Sequence, residues 1–542
     1  MRPHAQHLTL NAATGLGQGL VPLGLFAVFL AVYALYPNNY PHHDELYHVL
    51  AGASYAADGT LRLGDGVYLR TPLFTMLIGD LFSLFGVSLP VARAPSILAS
   101  ALWVAVVYLC ARPATGRLAA AIAAIGFGLS PLVVDVAKMA RFYAVHGLFF
   151  TLGAFAVYWT VVTTAGARQR LAGWLMAAAF LGAALYLQVT TAIGATGIAV
   201  WAAGHLAVTR LGLGRRFWVT ASFALALATV LALVAFRLGL LAETLEDFRR
   251  VAPWAVDRQN YRGFYLDLLL GYYPVWLPLF PLAVLAAFSR VPRLAVFCTL
   301  VFGLAVVLHS LAGMKAERYV TYLMPFFWIV LGIALAPLIA PTRTAIGSLA
   351  MRIGAMPALA PLPGELASGA VRLAAAASLI WFAATSLALP QSFQKLVHRI
   401  DPPLPDWQAL PGTVGLDEDT LFLTPNELHA LYFIGDLHAT LGPPPNGDTV
   451  SQTGRPALTD ASALARLIAC RRAGVIAADA WRWQNPGVVA APVRRYAERH
   501  LEPHPAGPSL NLVIYTWTRE EPPARPCPPP FDRSLRLHAR PS

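Results

Sequence analysis

Residues 90–111 read PVARAPSILASALWVAVVYLCA, and this composition indicates the class of protein. The stretch contains one charged residue, Arg93, close to its start. An apolar helix of this length is about 30 Å long, the thickness of the hydrocarbon core of a bilayer. The stretch therefore predicts a transmembrane helix.

Comparable apolar stretches occur on both sides of it, and together they predict an α-helical polytopic membrane protein with about eleven spans. The others lie near residues 16–36, 118–135, 143–165, 171–188, 191–209, 217–240, 268–289, 294–312, 319–338 and 370–389. The first could instead be a cleaved signal peptide, but further spans follow it, which favours an uncleaved anchor. The 542 residues are 57% hydrophobic and 13% charged, so there are too few charges for a purely soluble protein.

The arginines predict the orientation in the membrane. A net charge of +12 suggests a nucleic-acid partner until the arginines are located, because most of them lie in short links between spans. If the N terminus is cytoplasmic, the basic links all fall on the cytoplasmic side, as the positive-inside rule requires. These links contain Arg112 and Arg117, Arg168 and Arg170, Arg210, Arg215 and Arg216, Arg290 and Arg293, and Arg343 and Arg352. The sequence therefore predicts a multi-pass protein of the inner (cytoplasmic) membrane without a nucleic-acid partner, whose carboxylates crowd the outer face.

The composition changes near residue 390. We expect a transmembrane domain over 1–390 and a soluble, extracytoplasmic α/β domain over 391–542. The patterns predict strands over 419–424, 473–478 and 510–516, and helices over 460–471 and 493–500. Cys470 and Cys527 both lie in this domain, where an oxidising compartment would permit a disulfide.

The first outer loop contains the sequence YPHHDELYH at residues 40–48. Apolar residues at helical spacing predict a helix over 45–57 that lies along the membrane surface, with Asp44 at its start. A second short apolar helix is predicted over 72–86, with Pro72 in its first turn. We expect both interfacial helices to cover a cavity above the bundle.

Charged groups elsewhere on the outer face are expected near this loop. Asp135, Lys138 and Arg141 lie at the junction of the third and fourth spans. Lys315 and Arg318 are three residues apart, and on a helix they would share a face suited to binding one phosphate. The pattern therefore predicts an anion site next to carboxylates.

These segments, in this order and on a common side, resemble the polytopic glycosyltransferases of GT-C type that use polyprenyl-phosphate sugars. That family includes the protein O-mannosyltransferases and the bacterial aminoarabinose transferases of lipid A. The matching segments are Asp44-Glu45, Arg70-Thr-Pro-Leu73, Ala92-Arg93-Ala-Pro-Ser96, Arg141-Phe-Tyr-Ala144 and Lys315 to Pro325. One position departs from the pattern: many relatives have an acid two residues before Arg-x-Tyr, where this chain has Met139.

The resemblance implies a membrane glycosyltransferase that moves a sugar from a polyprenyl phosphate to an extracytoplasmic acceptor, which is a lipid, a glycan or a protein. It implies a single inverting displacement, with Asp44 as general base for the acceptor hydroxyl. The basic residues implied to bind the donor phosphate are Lys315, Arg318, Arg141 and Arg70. Asp135 or Glu45 would provide a second carboxylate.

The same residues have other interpretations. Asp44 and Glu45 could only cap the interfacial helix, since acids favour helix N-termini. The basic residues could be anchors at the membrane surface, and Arg93 could pair with Asp80. A transporter or flippase for a lipid-linked sugar would also need many spans. Transporters, however, place ionisable sites near the bilayer midplane, whereas here these groups crowd one face.

Metal binding is left open by the sequence, and no cofactor is predicted with certainty. His42, His43, Asp44, Glu45 and His48 lie close together, but their spacing is not the His-Glu-x-x-His of zinc proteases. A divalent ion could bridge Asp44 or Glu45 to the donor phosphate, or the histidines could simply be surface residues.

Overall fold

The computed structural model describes most of the chain: residues 15–35, 40–163, 166–210, 249–256, 258–338, 385–386, 388–397, 403–442, 451–520, 526–529 and 531–537. The predicted span near 217–240 and most of the one near 370–389 lie outside the described residues.

The N-terminal part is a bundle of apolar helices. They are α1 (Gly15–Ala34), α2 (His43–Asp58), α3 (Pro72–Phe85), α4 (Leu89–Thr115), α5 (Arg117–Gly128), α6 (Pro131–Ala137), α7 (Tyr143–Val162), α8 (Ala167–Leu187), α9 (Thr191–Arg210), α10 (Phe264–Tyr272), α11 (Trp276–Phe288), α12 (Pro292–Leu311), α13 (Glu317–Leu338) and α14 (Leu389–Val397). α13 begins with two 3-10 turns, Glu317–Tyr319 and Thr321–Leu323. Large buried rings on α4, α7 and α13, among them Trp103, Phe150 and Trp328, fill the core.

Five described helices are long and apolar enough to cross a membrane, and the number rises to seven if each of two bent pairs counts as one span. The pairs are α5 with α6, bent by 61°, and α10 with α11, bent by 89°. The spans predicted near 118–135 and 268–289 therefore each correspond to a bent pair of helices rather than to one straight helix. Each bend coincides with a proline, Pro131 or Pro274. A proline disfavours helical geometry for the residue that precedes it.

The two short helices predicted in the first outer loop are present as α2 and α3. A small hairpin connects them, in which β1 (Arg62–Leu63) pairs antiparallel with β2 (Gly66–Val67). α2 and α3 cross closely at Gly52 and Gly79: a Cβ at Gly79 would lie 2.9 Å from the carbonyl oxygen of Gly52. Their position along a membrane surface stays a prediction.

The C-terminal unit, residues 403–537 as described, contains a four-stranded sheet with helices. Its elements are α15 (Leu410–Val414), β3 (Leu421–Leu423), α16 (Glu427–Phe433), α17 (Ala461–Cys470), β4 (Ala473–Ala478), α18 (Ala480–Gln484), α19 (Ala491–His500), β5 (Glu502–Pro503) and β6 (Val513–Thr518). The strand order is β3-β4-β6-β5, with β3 parallel to β4 and the other pairs antiparallel. The disulfide Cys470–Cys527 joins the end of α17 to the segment after β6.

The C-terminal unit packs directly on the first outer loop. The amides of Asp65 and Gly66, at the tip of the hairpin, donate to the carbonyl oxygen of Thr453 at 2.9 and 3.0 Å. Arg455 forms ion pairs with Asp65 and with the buried Asp436. These contacts join the α/β unit to the hairpin between α2 and α3.

Candidate active site

The site is built on the first turn of α2. His42 is the N-cap, and its Nδ1 accepts from the amide of Asp44 at 3.1 Å. The carboxylate of Glu45 accepts from the amide of His42 at 2.7 Å, which completes a capping box. Both acids lie in the first turn, where the partial positive charge of the helix end stabilises them. Because neighbouring helix residues point about 100° apart, Asp44 and Glu45 face different surroundings.

Glu45 faces the protein interior and is fully buried. Arg93 on α4 donates to it from Nε at 2.9 Å and from Nη2 at 2.5 Å, and the amide of Ala140 donates at 3.0 Å. The ion pair joins α2 to α4 and to the segment before α7. The ion pair that Arg93 forms is with Glu45 rather than with Asp80, the partner considered as an alternative in the sequence.

Asp44 points toward a group of arginines instead. Its Oδ2 lies 2.6 Å from Nη2 of Arg318, and about a fifth of each side chain is exposed. Burial raises the pKa of Asp44 and is the largest single effect, but the nearby charges of Arg318, His42, Arg141 and His43 together outweigh it and hold the pKa well below its usual range. The carboxylate is therefore ionised at neutral pH.

Two guanidinium groups, those of Arg318 and Arg141, contact Asp44, and that of Arg70 lies near Arg141; we call Arg70, Arg141 and Arg318 the arginine cluster. Arg141 donates from Nη1 to the carbonyl oxygen of Asp44 at 2.8 Å and to the hydroxyl of Tyr68 at 3.1 Å. Arg318 donates from Nε to the hydroxyl of Tyr143 at 3.1 Å.

Arg70 completes the cluster. Its guanidinium carbon lies 5.5 Å from the ring centre of Phe142, and that of Arg141 lies 5.3 Å from the same ring. Arg70 also donates from Nη2 to Oε1 of Gln188 at 3.2 Å, so the cluster holds three positive charges and its contacts include one carboxylate, that of Asp44. In the described part of the chain, the buried Nε of Arg141 has no hydrogen-bond acceptor. Excess positive charge and an unsatisfied donor are the features of an anion site.

Lys315 lies apart from the cluster. It precedes the 3-10 turn in extended backbone, so the expectation that it shares a helix face with Arg318 is wrong. Its Nζ donates to the carbonyl oxygens of Ala312 and Asn260 at 2.6 and 3.0 Å. The ammonium thus holds together the loop that leads into α13.

Asp135 belongs to a second ionic group that sequence reasoning missed. Its Oδ1 lies 3.6 Å from Nζ of Lys395 on α14, and the same ammonium lies 3.0 Å from Oε2 of Glu317. Glu317 also accepts from the hydroxyl of Tyr272 at 2.9 Å. This group supports the turn that carries Arg318. The available signal was the rarity of lysine, because the chain contains only Lys138, Lys315 and Lys395.

Lys138, at the same junction as Asp135, caps a helix end. Its Nζ donates to the carbonyl oxygens of Tyr33 and Leu35 at the end of α1. It also lines, with Arg93, an apolar cavity of about 550 Å³ between α1, α3 and α4. The apolar lining includes Leu30, Leu77, Leu81, Ile97 and Leu98.

The residues suggested for a metal ion do not form a protein metal site in this structure. The oxygens of Glu45 accept from Arg93 and two amides, and Asp44 pairs with Arg318. Within the described ranges, no three His, Cys, Asp or Glu side chains converge as metal ligands would.

The C-terminal unit contributes rings to the start of α2. His43 stacks on His429 of α16 with ring centres 5.8 Å apart, and Tyr40 lies 5.7 Å from the same imidazole. Burial lowers the pKa of His429 to about 3, and the charge of Arg482 acts in the same direction. Sequence reasoning missed this contact, since it joins residues almost four hundred positions apart.

Comparisons with known proteins concern the family and the fold of the chain. Residues 70–237 match the family model described as dolichyl-phosphate-mannose-protein mannosyltransferase. The fold is similar to that of ArnT from Cupriavidus metallidurans bound to undecaprenyl phosphate, with a TM-score of 0.58 and 16% identity over 91% of this chain and 97% of that one. It is also similar to the archaeal oligosaccharyltransferase AglB from Archaeoglobus fulgidus in complex with an inhibitory peptide and a dolichol-phosphate, with a TM-score of 0.57 and 12% identity over 92% of this chain and 74% of that one. No curated protein sequence matches the chain. The predicted resemblance to polytopic glycosyltransferases of GT-C type is confirmed.

Proposed function

We propose that this chain is an integral membrane glycosyltransferase that transfers a sugar from a polyprenyl phosphate to an extracytoplasmic acceptor, with inversion at the anomeric carbon. The observation that carries the proposal is the ion pair between Asp44 and Arg318 at the edge of the arginine cluster. A carboxylate beside a surplus of guanidinium groups combines a proton acceptor with a phosphate site. The similar fold of ArnT bound to undecaprenyl phosphate supports a lipid-linked donor.

The arginine cluster would bind the donor phosphate. Guanidinium groups make forked hydrogen bonds to phosphate oxygens, and the buried Nε of Arg141 is a donor for such a contact. The phosphate would compete with Asp44 for Arg318. As that ion pair weakens, the pKa of Asp44 rises and the carboxylate becomes a stronger base. Donor binding would thus prepare the base for the acceptor.

In the proposed step, the acceptor oxygen attacks the anomeric carbon, and the bond from that carbon to the phosphate oxygen breaks. The hydroxyl proton moves to Asp44, and the bonding electron pair remains on the polyprenyl phosphate. The arginine cluster stabilises the charge that develops there. The proposal gives Glu45 and Asp135 no part in proton transfer, because Glu45 is fully buried and Asp135 pairs with Lys395 rather than with the arginine cluster.

The other partners follow from this arrangement. The apolar cavity between α1, α3 and α4 could accommodate part of a polyprenyl chain, since its lining is mostly hydrocarbon. We place the site, with the C-terminal unit, outside the cytoplasm, in agreement with the arginine bias of the links. The acceptor is a lipid, a glycan or a protein of the envelope.

The test is a transfer assay with purified protein, radiolabelled polyprenyl-phosphate sugars and envelope acceptors. Asp44→Asn should lower transfer by about 10²- to 10⁴-fold, the usual contribution of a general base. The matched control is Asp80→Asn, because Asp80 is an exposed carboxylate on the neighbouring helix α3. It should transfer as well as the wild type.

Binding of undecaprenyl phosphate is measured on the same variants. Asp44→Asn should still bind it, since removing a carboxylate increases the positive charge of the site. An Asp44→Asn variant as active as the wild type would refute the catalytic role of Asp44. A wild type that consumes no donor would instead support a flippase or another lipid-binding role.

A further inference from the structure

An exposed tryptophan lies beside two arginines where the C-terminal unit meets the segment before α10. Trp481 is on α18, and 42% of its surface is exposed. The guanidinium carbons of Arg258 and Arg482 lie 5.5 and 5.6 Å from its ring centre. Arg258 comes from the segment before α10 and is exposed to solvent. We call these three residues the Trp481 platform.

Two contacts hold the parts of the platform together. Nδ2 of Asn485, just after α18, donates to the carbonyl oxygen of Trp254 at 3.0 Å. Gly487 packs against the backbone of Pro253 so closely that a Cβ there would lie 2.2 Å from its carbonyl oxygen. The segment that carries Arg258 is therefore fixed against the unit that carries Trp481.

Asp479 orients the second arginine. Its carboxylate lies 2.6 Å from Nη1 of Arg482, and its Oδ1 accepts from the amide of the same residue at 2.8 Å. Two guanidinium groups and one carboxylate leave a net positive charge beside an exposed indole.

The platform lies close to the proposed reaction site. The amide of Asp479 donates to Oδ1 of Asn426, which is the N-cap of α16. One turn further along α16, His429 stacks on His43, the neighbour of Asp44. The charge of Arg482 also contributes to the lowered pKa of His43, after the larger effect of burial.

An indole ring offers a flat apolar surface to the C–H groups of a sugar, while a guanidinium binds a phosphate or carboxylate. We propose that the Trp481 platform is a binding subsite for an anionic sugar of the acceptor, one that carries a phosphate or a carboxylate. As an acceptor subsite, it rests on the proposed glycosyltransferase function. A neutral glycan would offer the two arginines no anionic group.

The test measures binding without any donor, on the full chain in nanodiscs, by saturation-transfer NMR titrations. The probes are glucose 6-phosphate, glucuronate, glucose, and an acidic peptide without sugar. We expect both anionic sugars to bind more tightly than glucose. Trp481→Ala should weaken them by about tenfold, and Trp481→Phe should retain most of the affinity. Arg258→Gln should reduce the preference for anionic sugars over glucose.

The control is Trp174→Ala, because Trp174 is 45% exposed on α8, away from the C-terminal unit. It should bind all probes as the wild type does. Equal affinity of Trp481→Ala and wild type, or of glucose and glucose 6-phosphate, would overturn the subsite. Binding of the acidic peptide as tight as that of the sugars would overturn its assignment to a glycan.

The same variants are then tested for transfer, which separates the two proposals. If the proposed function holds, Trp481→Ala should raise the acceptor KM and leave binding of undecaprenyl phosphate unchanged. A wild type that binds glucose 6-phosphate through Trp481 but transfers no sugar would contradict the glycosyltransferase and with it the acceptor role of the subsite. A transferase whose acceptor KM does not respond to Trp481→Ala would overturn the subsite alone.

Discussion

Replacing Gly66 with alanine should loosen the contact between the C-terminal unit and the first outer loop. Gly66 lies at the tip of the hairpin, against the backbone of residues 452–454. A Cβ there would be 2.3 Å from the carbonyl oxygen of Gln452 and 2.9 Å from the amide nitrogen of Gly454, where ordinary contacts are 3.4–4 Å. The loop would have to retreat by about 1 Å.

The magnitude follows from this overlap. Backbone atoms cannot rotate away as a flexible side chain can, so the added methyl group acts as overpacking, which costs about 1 to 3 kcal/mol. That cost lowers the equilibrium constant for docking of the C-terminal unit on the first outer loop roughly 5- to 150-fold. The amides of Asp65 and Gly66, which donate to Thr453, would open more often. Transfer should fall as well, because Tyr68 follows the hairpin and accepts from Arg141.

Hydrogen exchange measures directly how often the hydrogen bonds of the Asp65 and Gly66 amides open. Exchange of the Asp65 amide should accelerate by the same factor in Gly66→Ala. The control is Gly271→Ala: a Cβ at Gly271 meets no atom within 4 Å, so exchange at Asp65 should not change. A folded Gly66→Ala protein with wild-type exchange at Asp65 would refute the argument that this backbone contact holds the unit in place.

Three further predictions concern the groups around the site. Glu45→Gln should destabilise the protein by about 3 to 5 kcal/mol, because it leaves the buried guanidinium of Arg93 without its counter-ion; thermal unfolding measures this, and an unchanged Tm contradicts it. Lys395→Gln should lower kcat more than donor affinity, since Glu317, the neighbour of Arg318, loses the ammonium with which it pairs. Lys395→Arg should restore kcat. Equal kcat values for Lys395→Gln and wild type would contradict this role. Burial lowers the pKa of His429 to about 3, below the 6.5 of an unfolded histidine. The contribution of this neutral imidazole to docking is therefore fully present above pH 6.5 and is lost as the pH falls toward 3. Limited proteolysis between pH 7.5 and 4.5 should show this loss, and His429→Phe should reduce it.

Much of the architecture could be predicted because its signals are local. A run of apolar residues is sufficient to predict a membrane helix, and alternation with turn residues is sufficient for the strands of the C-terminal unit. The bends at Pro131 and Pro274 were missed because hydropathy does not distinguish a straight span from a broken one. The prolines themselves were the available signal.

The site was harder to predict because its contacts join distant segments. Arg70, Arg141 and Arg318 could be identified as a group by the family resemblance, and the structure brings them together. Lys315 was grouped with them on the expectation that it shares a helix face with Arg318, whereas the 3-10 turn starts at Glu317. Lys315 precedes this turn, and its ammonium donates to backbone carbonyls instead.

The neighbours Asp44 and Glu45 show most clearly why sequence alone does not assign roles. Both are acids in the first turn of one helix, and both benefit from the same helix dipole. The packing of α2 separates them. Glu45 is one residue further along the helix and therefore faces Arg93 in the interior, where it caps and anchors the helix. That anchoring fixes the direction of Asp44, whose carboxylate then meets Arg318 at the partly exposed edge of the arginine cluster. In the sequence, capping and catalysis were alternative interpretations for both acids. In the fold, capping applies to Glu45, and Asp44 is the residue we propose as the base. The buried Glu45 orients Asp44.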